Sequence, residues 1–361
     1  MNNRILIALG VVALVFSSVQ PGLGQDNETW DGGDSADYWN WNNNWADNTA
    51  PNGNDILNFA GSTRTINTNN FTFNGYRIFF NSGAASFTLR GNNHRLVDFG
   101  GNDPKIENNA ANAQTIDFVV GGDGDAGDPL ELNPVSGNLT FNGVVSNFNS
   151  DIFIYGDNAK TITFNGIVTG SGKLILKQNS TAIFAAANAY TGNTEIDEGE
   201  IWISDSGDIS GSSAIYVGNG AATANICKFF INNSSGGRNF TRAININAGD
   251  GTTSNREIGG LNTSGNNTFS GNIVRATGGD NRTVTLYTPT GSTITFSGII
   301  SGDDTVIKRS GGTAVFSNAN TYSANTEINA GALHIDQGGS IAGGTVYVAA
   351  AASPPAPPLL S

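Results

Sequence analysis

Residues 163–211, TFNGIVTGSGKLILKQNSTAIFAAANAYTGNTEIDEGEIWISDSGDISG, return at 295–343 as TFSGIISGDDTVIKRSGGTAVFSNANTYSANTEINAGALHIDQGGSIAG. The offset is 132 residues, about two in five aligned positions are identical, and most of the rest exchange like for like. One structural unit is therefore used twice. The match reaches upstream, since Ile152, Ile154 and Tyr155 fall on Val284, Leu286 and Tyr287. A shorter echo, TFNGVV from Thr140 against TFNGIV from Thr163, gives an inner period of 23 residues. Six windings of roughly 22 residues would make up the larger offset.

A winding of that size suits a chain that coils into stacked parallel strands, each about 4.8 Å from the last. The local pattern agrees. Thr161–Phe164, Lys173–Leu176, Glu195–Asp197 and Glu200–Ile203 alternate apolar and polar residues, which gives each strand an inner and an outer face. Asn-Gly, Gly-Ser-Gly and Asp-Glu-Gly clusters stand between them as turn signals. The expected fold is all-β, a single-stranded parallel β-helix (β-solenoid) with a Trp-rich N-terminal cap. Its expected divisions are a leader at 1–24, a Trp/Asn-rich cap at 25–60, the β-helix at 61–348 and an Ala/Pro-rich tail at 349–361. About 13 coils, near 60 Å of length, follow from the coil size.

Gly and Asn together exceed a quarter of the 361 residues, while charged residues make up 13%. The 20 Phe and the regular Ile/Val alternation argue for a packed core rather than disorder. A solenoid also explains how so long a chain avoids splitting into domains, because it grows by adding coils. Arg4, the apolar run Ile5–Phe16 and the small residues Gly22 and Gly24 read as a cleaved secretory leader, too short to span a membrane. Loss of Arg4 leaves 30 acidic against 16 basic residues, a balance that disfavours nucleic acid as a partner. The lone Cys227 has no internal disulfide partner and reads as a small buried apolar residue. The tail AAAASPPAPPLLS reads as an extended linker.

NAYTGNTEIDEGEIWISDSGDISG and NTYSANTEINAGALHIDQGGSIAG resemble the autotransporter-associated β-strand repeat, a Gly-rich unit of the passenger regions of large bacterial surface proteins. Tyr190–Ile203 and Tyr322–Ile335 reproduce its Tyr-Thr-Gly-x-Thr core, strand, Gly turn and second strand. The second copy departs at Ala324, where the pattern has Gly, which puts one turn in doubt. The opening WDGGDSADYWNWNNNWADNTAPNGNDILNFAG also resembles the Trp-rich start of secreted members. The resemblance implies export, a β-helical passenger fold and a role at the bacterial cell surface or outside it. It implies no catalytic residues.

Two clusters stand out as candidate sites. Trp30, Trp39, Trp41 and Trp45 crowd among Asn and Asp, so they either stack on sugar rings of a glycan or cover the open end of the coil, and the second reading is preferred. Asp123, Asp125 and Asp128, on a glycine-rich loop, could converge on calcium, although a single solvated acidic turn explains them too. Asp31, Asp34 and Asp37 carry the same ambiguity. For catalysis the inventory is thin. His94 and His334 lie in no zinc-binding pattern, and His334 occupies the outward place of Trp202 in the aligned copy. Glu195 and Glu327 recur in both copies, which suits a structural role better than one active site. The expectation is a non-catalytic, secreted or surface-displayed structural and adhesive protein that meets an extracellular surface or glycan. The alternative is a carbohydrate-binding or polysaccharide-cleaving β-helix module.

Overall fold

The computed structural model describes residues 25–349 apart from 126, 147, 157–159, 205, 219–226, 234, 248–254, 276–282 and 342; the expected leader and all but the first residue of the tail lie outside this range. The chain winds into a parallel β-solenoid, with no α-helix among the described residues. A first face holds 12 strands and a second face 13, and the third face carries two five-stranded sheets, one in each half of the rod. Between these two sheets the stacking is kept by a parallel bridge from Ala187 to Asp208. Every strand-to-strand pairing is parallel, so each contact links one winding to the next.

Alternation along the strands places one set of side chains inside. On the second face Ile116, Phe141, Phe164, Phe184, Ile203 and Ile231 stand directly above one another. On the first face the column runs Leu57, Ile78, Ile106, Leu132, Ile154, Leu176, Ile196 and Val217. The Phe rings stack flat where windings are regular: Phe141 on Phe164 at 5.7 Å and Phe164 on Phe184 at 5.2 Å. Phe296 stacks on Phe269 in the same way at 5.5 Å, and both Phe164 and Phe296 are buried. Burial of these apolar columns is the main favourable term for such a rod.

The repeated motif now has a local explanation. In Thr-Phe-Asn/Ser-Gly the glycine turns a corner directly above the corner of the previous winding. A Cβ on Gly166 would lie 2.0 Å from the Gly143 carbonyl oxygen, and one on Gly298 would lie 2.1 Å from that of Gly271. These glycines are required by close approach. Gly199 and Gly331 serve differently, turning the chain with φ of 97° and 70°. Tyr190 donates to or accepts from Thr194 Oγ1 at 2.6 Å inside the core, and Tyr322 does the same with Thr326 at 2.6 Å. Asn188 joins three windings: its Oδ1 accepts from Val168 N at 2.7 Å and its Nδ2 donates to Asp208 O at 2.9 Å. Asn320 repeats this with Ile300 and Ser340. At Ala324 the turn survives, since Ser323 N donates to Gly302 O at 2.9 Å as Thr191 N does to Gly170 O.

The offset between copies is not six windings. Thr161–Phe164 lies on the second face, whereas its counterpart Thr293–Phe296 lies on the third. Leu174–Leu176 lies on the first face and Thr305–Arg309 on the second. Five windings plus one face separate the copies, because winding length varies. Ile183 pairs with Trp202 after 19 residues, but Trp202 pairs with Phe230 after 28 and Phe230 with Gly259 after 29.

The ends differ. At the N-terminus Asn27–Trp30 pairs with Ile56–Phe59, so stacking already begins within the stretch expected to be cap. Trp39 N donates to Thr68 O at 3.0 Å and Thr68 N to Asp37 O at 2.8 Å, closing the second face. At the other end the last strand, Val346–Val348, pairs on one side only, with Thr326–Ile328.

Candidate binding surface

Three of the four clustered tryptophans form the N-terminal lid. Trp30, Trp39 and Trp45 are at most 1% exposed and pack edge to face, with Trp30–Trp45 centroids at 5.3 Å and Trp39–Trp45 at 6.3 Å. Their indole donors are used internally, Trp39 to Asn67 Oδ1 at 2.7 Å, Trp45 to Trp39 O at 2.7 Å and Trp30 to Thr63 O at 3.3 Å. None of the three presents a free ring face to a sugar. Trp41 does, beside Tyr38 at 6.0 Å, and both are exposed.

Under the lid, His94 is fully buried among Trp39, Phe73 and Phe118, with neither ring nitrogen hydrogen-bonded. Burial pushes its pKa down to about 3, so the imidazole is neutral. Glu28 heads the first-face column above Leu57, and burial, together with Asp47, Asp55 and Asp26, pushes its carboxyl up to about 7.

The acidic loop does not assemble a cation site. Asp123 is buried and committed, since Arg95 donates to its Oδ1 at 3.1 Å and Asp98 N to its Oδ2 at 2.9 Å. Asp125 is exposed, and Asp128 N points back to Asp125 O at 3.3 Å. Among the described residues no three Asp, Glu, His or Cys side chains are grouped to hold a metal ion, so Asp123, Asp125 and Asp128 do not converge as calcium ligands would. The recurring glutamates part company as well. Glu195 sits on the first face, paired with Lys173 at 3.0 Å, and Glu327 on the second. Cys227 is buried with its thiol pushed up to about 11 by desolvation, which makes it inert.

Two lateral surfaces carry the chemistry that remains. On the second face an outward row runs Thr163, Ile183, Trp202, Phe230, Gly259, Tyr287 and Arg309 on successive windings. Gly259 leaves a slot, across which Phe230 and Tyr287 meet at 5.4 Å. Beside this aromatic stripe Lys228 pairs with Glu200, and Arg309 reaches Glu257 at 2.7 Å. On the first face Lys105 pairs with Glu131 at 2.8 Å, Lys177 lies 4.6 Å over the Phe153 ring, and Tyr155 stands 6.1 Å from Phe153. A cleft of about 420 Å³ opens there, lined by Asp103, Asn149, Asp151 and Phe153 among others. Burial, then Glu131 and Asp128, raises the Asp103 pKa. The sequence concealed the stripe because Gly199–Ser204 and Cys227–Asn232 are apolar at inward and outward positions alike. The one signal was Trp202, an aromatic on the outward beat of its strand.

Comparison with known proteins gives a consistent picture. Residues 167–203 and 306–335 match the passenger-associated transport repeat, so the chain carries two of these units, in the places where the sequence repeats itself. Over 234 residues it is 26% identical to the adhesin BmaC autotransporter of Brucella suis biovar 1 (strain 1330), covering 62% of this chain and 6% of that one. The chain thus spans a small fraction of the relative it matches. No solved structure is significantly similar.

Proposed function

We propose that this passenger-repeat protein is a non-catalytic adhesive rod, exported and displayed at the cell surface or released from it. The observation that carries the reading is the pair of passenger-associated transport repeats built into a solenoid whose outer faces, rather than a deep pocket, hold its exposed aromatic and charged groups. A rod of this kind acts through reach and lateral contact. The aromatic stripe of Trp202, Phe230 and Tyr287, edged by ion pairs, has the make-up of an interface centre, where Trp and Tyr anchors dominate binding. The full chain, coated on beads, is expected to adhere to cells or matrix. Trp202→Ala with Tyr287→Ala should cut that adhesion by about 2 kcal/mol, roughly thirtyfold, with an unchanged circular dichroism spectrum. Adhesion that ignores both changes would remove the stripe from the account.

A second reading, carbohydrate binding or cleavage, draws on the first-face cleft, where Asp103 and Asp151 flank the Phe153 ring. Aromatic stacking with carboxylate hydrogen bonds suits sugar rings. Polysaccharide pull-down lost in Phe153→Ala would support binding there, and reducing ends released by the wild type but not by Asp103→Asn would support cleavage.

A further inference from the structure

The inward columns are sealed at one end of the rod and open at the other. At the N-terminus Trp30, Trp39 and Trp45 cover them almost completely. At the C-terminus Val346 and Val348 continue the inward rows of Thr326 and Ile328, yet they are 45% and 69% exposed. Ile335, next in the row of Phe316, is 44% exposed. Among the described residues nothing covers this end. The edge strand Val-Tyr-Val carries no Lys or Pro within it to discourage pairing, the usual protection of a bare strand.

We propose that this end is a self-association surface on which a second copy of the chain docks tail to tail, last strand against last strand. Charge argues for a copy. The chain is strongly acidic, at −13, but residues 326–349 contain only Glu327 and Asp336 as acids, beside His334. Self-contact is least repelled where charge is sparse. The closed N-terminal lid forbids head-to-tail stacking, so like ends must meet. A two-fold contact of this sort brings Val346–Val348 antiparallel to its own copy, with Tyr347 facing Tyr347, and it closes at two chains instead of propagating into a fibre.

The test uses the full chain. Light scattering after gel filtration should give twice the monomer mass, and Val346→Lys with Val348→Lys should halve it while the strand-rich circular dichroism spectrum persists. Tyr347→Cys should cross-link into a covalent dimer on mild oxidation, since the native Cys227 is buried and silent. Asn40→Cys, exposed at the lid, should not. A chain monomeric up to about 100 μM, a concentration beyond which a contact is too weak to be specific, overturns the proposal. So does a dimer indifferent to the lysine changes, or one that cross-links through Asn40→Cys and not through Tyr347→Cys.

Discussion

A methyl group on Gly166 would press on the carbonyl of Gly143 from 2.0 Å, a contact that only backbone movement can relieve. Because the obstacle is main chain, Gly166→Ala should lower stability by about 2 kcal/mol or more, in the range of overpacked sites. Tyr190→Phe removes only a hydrogen bond, and Thr194 keeps its bond to Ser212 at 3.0 Å. Its cost should be near 1 kcal/mol. Urea unfolding of the two variants followed by circular dichroism checks the order, and a Gly166→Ala midpoint above that of Tyr190→Phe would contradict the corner argument. Asn188 illustrates what a motif letter hides: its amide links three windings through backbone groups. The spacing Asn-x-Tyr was visible in the sequence. The reason was not, because the partners lie 20 residues away on either side.

At the scale of the element, the N-terminal lid holds two groups that titrate in opposite senses. His94 has its pKa lowered from 6.5 to about 3, so the unfolded chain binds the extra proton between these values. The stability it lends is whole above pH 6.5 and is lost as pH falls toward 3. Glu28 has its pKa raised from 4.5 to about 7, so the folded lid binds the extra proton and loses stability as pH climbs from 4.5 to 7. Tryptophan fluorescence during urea unfolding should therefore show a midpoint whose acid-side loss disappears in His94→Phe and whose decline toward neutrality flattens in Glu28→Gln. An acid-side loss unchanged in His94→Phe would mean that its burial does not matter. The sequence made the lid legible through the crowding of Trp among Asn, and burial of three of the four agrees with that preference. Its acid–base character was illegible, since nothing near His94 in the chain announces that Trp39, Phe73 and Phe118 converge on it. The acidic loop misled for a related reason: Arg95, which claims Asp123, lies 28 residues upstream.

For the whole molecule, 13 strands on the second face at about 4.8 Å per step give a rod near 58 Å long, close to what coil size alone predicts. Small-angle scattering of the Val346→Lys, Val348→Lys chain should return that length for the stacked part, and a compact sphere would contradict it. The number of windings was legible because strands announce themselves by alternation. Their phase was not, because the longer windings carry extra residues without a periodic signal, as between Trp202 and Tyr287. That irregularity matters for recognition. The two related segments, though near copies in sequence, look out in different directions around the axis, the strand of Trp202 on one side and that of His334 on the next. An antibody raised against the shared outward residues would find its two epitopes around a bend from each other, so a bivalent molecule could not span both along a straight line. Duplication here has produced two viewpoints instead of avidity.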